Sequence, residues 1–78
     1  MKQFTVICSK QDYEEVAEIL QGWGYRQGYY SWYVNENCIT TAADCFFSFA
    51  LCDLPDPNEP RYTLEELRTM ENPNTETL

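Results

Sequence analysis

The side chains able to do chemistry are unevenly represented in this sequence. There are 13 Asp and Glu and four Cys, but no His. Acid–base catalysis needs two carboxylates held in different environments, and no pair here is marked by its neighbours as buried and convergent. A cysteine nucleophile needs a base beside it, and there is no His to serve. Cys38, Cys45 and Cys52 recur every seven residues, whereas zinc sites are built on short Cys-x-x-Cys pairs, which are absent. An even cysteine count would also suit two disulfides. The start, MKQFTVICSK, has too short an apolar run for a secretory leader, so Cys8, Cys38, Cys45 and Cys52 are expected as free thiols in a reducing compartment. Gly22, Gly24 and Gly28 do not have the spacing of a phosphate-binding loop. The expectation is a protein that is not an enzyme, with no metal and no cofactor.

Binding chemistry is better supplied. One acidic group is Glu14, Glu15 and Glu18. The other is Asp53, Asp56, Glu59, Glu65 and Glu66. Carboxylates three or four apart on a helix lie about 5–6 Å from one another, a spacing comparable with that of successive phosphates. Such a face suits a Lys/Arg-lined groove built for nucleic acid. The plainer reading of any one patch is a solvated face that maintains solubility. A third candidate surface is aromatic: Tyr25, Tyr29, Tyr30, Trp32 and Tyr33, with Tyr29, Trp32 and Tyr33 as the exposed anchors. Stacking of bases on these rings is disfavoured, because Arg26 is the one base that interleaves with them.

The elements that must position these residues follow from periodicity. Residues 3–9, QFTVICS, alternate as a strand with Phe4, Val6 and Cys8 on one face. Residues 10–21 have the helical repeat Tyr13, Val16, Ala17 and Leu20, with Ser9 as N-cap and a stop at Gly22, reinforced by Gly24. Trp23 is expected to fold back over the helix end. Residues 27–34 read as an aromatic strand, paired as an antiparallel hairpin with Cys38-Ile39-Thr40 across an Asn35-Glu36-Asn37 turn. Residues 42–52, AADCFFSFALC, are apolar at nearly every position, so helix and buried strand both fit; helix is preferred for its Ala and Leu content. The segment 53–60, with three prolines and three acids, is a connector. Thr63 and Glu66 then form a capping box ahead of a last helix anchored by Leu64 and Leu67. The fold class is a small single α+β domain over residues 1–70, in a β-α-β-β layout with one or two short C-terminal helices. Residues 71–78 read as a flexible tail.

Charge and length narrow the function. With 78 residues there is room for one domain. Five Lys+Arg leave a net charge of −8, and eight of the 13 acids lie after residue 39. Direct binding to nucleic acid or to an anionic membrane is therefore disfavoured. No stretch can span a bilayer, since Ala42–Leu54 is short and interrupted by Asp44 and Asp53.

The succession FTVIC, DYEEVAEIL, GWGYRQG, YYSWYVNENCIT and YTLEEL resembles small acidic accessory proteins of bacteriophages and prophages. Several proteins of that kind inhibit host defences, as anti-CRISPR and anti-restriction proteins do. The resemblance implies an inhibitor in the bacterial cytoplasm whose partner is a bacterial protein with a basic surface, a defence nucleoprotein, and it carries over no functional residue. Two other classes remain open at this point. One is a regulatory adaptor that binds through the aromatic hairpin. The other is a self-associating structural protein, a homodimer joined along a hairpin edge or the Phe46-Phe47-Phe49 cluster.

Overall fold

The architecture comes from a computed structural model that describes residues 1–28, 32, 35–54, 56 and 58–74. It is an α+β fold, a five-stranded mixed sheet with two α-helices. The strands are β1 (Thr5–Ile7), β2 (Arg26–Gln27), β3 (Cys38–Ala42), β4 (Cys45–Phe49) and β5 (Arg61–Thr63), and the helices are α1 (Tyr13–Gly22) and α2 (Leu64–Thr69). The sheet order is β2-β4-β3-β1-β5. β3 is antiparallel to both neighbours, whereas β2–β4 and β1–β5 are parallel pairs.

The expected first strand and first helix are present. Phe4, Val6 and Cys8 are buried together with Tyr13, Val16, Ala17 and Leu20 in one core. A 3₁₀ turn, Lys10–Asp12, precedes α1, and Ser9 bonds the Asp12 carboxylate rather than a backbone amide. α1 ends in a Schellman motif. Tyr25 N–H donates to Leu20 O at 3.0 Å and Gly24 N–H donates to Gln21 O at 3.0 Å. Gly24 takes the left-handed conformation this requires, φ 101°. Trp23 does fold back, half-buried, with its ring 6.1 Å from Phe4. The capping box at Thr63 and Glu66 is formed, and Leu64 and Leu67 are buried.

Three expectations are corrected. Residues 45–49 are a strand, not part of a helix, followed by a 3₁₀ turn at Leu51–Asp53. Ala and Leu favour a helix only weakly, and pairing with strands on both edges outweighs that preference. The hairpin is also a different one: β3 pairs with β4 across Ala43-Asp44, and its other edge is occupied by β1. Of the strand expected at 27–34, Gln27 pairs with Phe46 of β4, and residues 29–31, 33 and 34 lie outside the described residues. Ala43 sits in the left-handed region, φ 54°, which costs an alanine energy that the surroundings must offset. Arg26 holds that turn, its N–H donating to Asp44 O and its guanidinium to Asp44 Oδ2, both at 2.6 Å. The third correction is β5, a strand between the 53–60 connector and the last helix that the sequence pattern did not announce.

Both β1→β2 and β4→β5 join parallel strands but step across the sheet in opposite directions. Taken right-handed, they cover opposite faces. Residues of α1 and α2 pack with Phe4, Val6 and Phe46 on one face. On the other, Thr5, Thr40 and Cys38 are buried and the Thr5 and Thr40 hydroxyls bond each other, whereas Ile7 is exposed. Among the described residues no helix is long and apolar enough to cross a membrane.

Candidate functional site: an acidic two-helix face

Glu14 and Glu18 project from α1 into solvent, one turn apart. Glu15, between them, is engaged from α2. Arg68 lays its guanidinium fork on it, Nε to Oε2 at 2.5 Å and NH2 to Oε1 at 2.8 Å. The bond from Arg68 holds the Glu15 carboxyl below its usual range. Glu15 in turn raises Arg68, first through that hydrogen bond and then through its charge, with the charges of Asp12 and Glu65 adding to the effect. The Arg68 guanidinium thus has Glu15, Asp12 and Glu65 about it, while Glu14 and Glu18 are exposed on α1, Glu14 lining a groove with Lys10 and Gln27. Bidentate pairing fixes that guanidinium in orientation as well as in place.

The second acidic group expected from sequence is divided by the fold. Glu65 joins the α1 acids. Glu66 is committed to α2 itself, its Oε1 accepting from Thr63 N–H at 3.2 Å. Asp53, Asp56 and Glu59 belong to the connection between β4 and β5. Asp53 N–H donates to Ala50 O at 2.9 Å, and Asp56 Oδ1 accepts from Asn58 N–H at 2.9 Å in a local turn. These three acids are not brought to the helix face.

The aromatic candidates fare differently. Tyr29 and Tyr33 lie outside the described residues. Trp32 is half-buried against the core, 5.9 Å from Tyr13 in an edge-to-face contact, so its ring supports packing as well as surface. Phe46 is buried, and both hairpin strands are internal to the sheet. β1 covers the outer edge of β3, and among the described residues Arg26–Gln27 pairs with β4 only at Cys45 and Phe46.

Cys8, Cys38, Cys45 and Cys52 are free thiols. Burial is the main cause that pushes Cys8 up to about 12 and Cys38 to about 11, so both stay protonated at neutral pH. Cys38 Sγ donates to Phe49 O at 3.2 Å. Among the described residues no group of three or more Cys, Asp or Glu converges as a metal site.

Two functional contributors escaped the sequence reading, Arg68 and Asp12. Arg68 stands 53 positions from Glu15, and no local spacing connects them. Comparison with known proteins finds no match, whether family model, curated protein or solved structure.

Proposed function

We propose that the protein is a non-catalytic inhibitor from a phage or mobile element. It binds a basic, nucleic-acid-binding surface of a bacterial defence complex, of CRISPR or restriction type, through the α1–α2 acidic face. The observation that carries this reading is the gathering of Asp12, Glu15 and Glu65 about Arg68 where α1 and α2 meet, with Glu14 and Glu18 exposed on α1, in a chain of net charge −8. A rigid helix pair presents carboxylates at fixed separations, and a groove lined with Lys and Arg to grip phosphates attracts them by the same force. Arg68 limits self-repulsion where the two helices meet. Glu14 and Glu18, exposed and on the solvent side of α1, are the residues assigned to the partner's cations.

The test is competition. A purified CRISPR effector or restriction enzyme is loaded with fluorescent DNA, and its release is followed by anisotropy as the protein is added. Release is expected at low salt. It should weaken at least tenfold between about 50 and 200 mM salt, since charge pairs at an exposed interface are screened. The double charge reversal Glu14→Lys/Glu18→Lys should abolish it. Displacement insensitive to both salt and charge reversal, or none from a panel of such complexes, would overturn the proposal.

A further inference from the structure

We propose that the groove between the start of β1, β5 and residues 70–73 is a binding site for a short zwitterionic peptide, a dipeptide with apolar side chains. The groove has a volume of about 470 Å³, within the range of clefts that hold small ligands, roughly 300–1,000 Å³. One wall is the chain from Lys2 to Phe4 and another is the segment from Met70 to Pro73. Pro60 and Tyr62 complete the lining.

That lining is formed in advance. Phe4 is buried and makes edge-to-face contacts with Trp23 at 6.1 Å, Tyr25 at 5.7 Å and Tyr62 at 5.7 Å. The chain leaves α2 at Met70 in extended conformation, ψ 147°, and Met70 packs against the core. Lys2 N–H donates to Asn74 Oδ1 at 2.8 Å, which ties the two walls together at one end. Pro60 and Pro73 each have φ locked by the ring. A site that needs no ordering on binding keeps more of its contact energy as affinity.

Charge selects the ligand. Lys2 stands on one wall and Glu71 on another, and both are exposed. Among the described residues neither is in an ion pair, whereas Arg26 is paired with Asp44 and Arg68 with Glu15. A ligand of single charge would match one wall and leave the other unmatched. A free amino acid holds its ammonium and carboxylate on one carbon, but a dipeptide separates them by a peptide unit, as two walls require. Its ammonium belongs at Glu71 and its carboxylate at Lys2. Tyr62, Met70 and Pro73 are half-buried, with apolar surface still open for the side chains.

The experiment is an NMR titration of the full chain with leucyl-phenylalanine, its N-acetyl form and its C-terminal amide. The chain has two methionines, so the Met70 ε-methyl signal is readily assigned and reports the groove. The free dipeptide should shift that signal saturably. Either blocked form should bind about two- to fivefold more weakly, the weight of one exposed charge pair. Glu71→Gln should erase the penalty for acetylation and keep that for amidation, and Lys2→Gln should do the reverse. Both side chains are exposed, so these variants are expected to fold. No saturable shift by the free dipeptide would overturn the proposal. So would a blocked form that binds as tightly as the free one, or a penalty that its matching variant leaves in place.

Discussion

Cys8 and Cys38 are buried, Cys45 is half-exposed and Cys52 is exposed. A thiol reacts as its thiolate, and reaction requires access. Mild alkylation of the native protein at pH 8 should therefore modify Cys52 first and Cys45 more slowly, with Cys8 and Cys38 modified only as the chain unfolds. Peptide mass mapping would read the order, and early labelling of Cys8 would refute it. The same burial has a pH consequence. The Cys8 thiol is raised from 9.0 to about 12 on folding. Its stabilising contribution is therefore whole below pH 9 and is lost as pH climbs from 9 towards 12. Residue types were informative in the sequence where they act alone. Thr63 and Glu66 announce a cap because both partners lie within one turn. Glu15 gives no sign of Arg68, because that pair exists only once two distant helices pack.

The elements differ in how plainly they were written. α1 was legible because Tyr13, Val16, Ala17 and Leu20 repeat with the helical period and all four are buried. β4 was not, because a continuous apolar run has no period. Its alternation appears only in the sheet, where Phe46 enters the helix-side core and Phe47 and Phe49 turn to the other face. β5 is three residues long and is defined by the edge of β1, with Thr5 opposite Arg61. The acidic face was half-legible for the same reason: Glu14, Glu15 and Glu18 share one helix, whereas Glu65 joins them by tertiary packing. The β2–β4 edge is sharply constrained. Gly28 N–H donates to Phe46 O at 3.1 Å, and a Cβ on Gly28 would overlap the Phe47 ring. Gly28→Ala should destabilise by about 1–3 kcal/mol, the cost of overpacking. Adding Phe47→Leu should recover part of that loss in a urea melt. A melt unchanged by Gly28→Ala would show that the ring moves aside freely.

At the scale of the molecule, the Arg68–Glu15 pair links α1 to α2 and limits repulsion within the acidic face. The Glu15 carboxyl lies below its unfolded value of 4.5 when folded. Its contribution is thus present above about pH 4.5 and is lost as pH falls through the lower folded value. Wild type and Glu15→Gln should converge in thermal midpoint as pH falls below 4.5 and through the lower folded value. Wild type should melt higher at pH 7, and more so at low salt. Equal midpoints at pH 7 in low salt would show that the pair contributes nothing to stability.

β1 lies between β3 and β5, so it borders a strand that emerges well after it during synthesis. Until Arg61–Thr63 arrive, the backbone of Thr5–Ile7 has an open edge, in a segment rich in strand-forming residues. A chain released before that point presents a sticky ribbon. A completed one caps it with a short strand that Pro60 opens and Glu66 closes, by taking the Thr63 N–H. Truncation before Arg61 thus leaves that edge open and threatens aggregation.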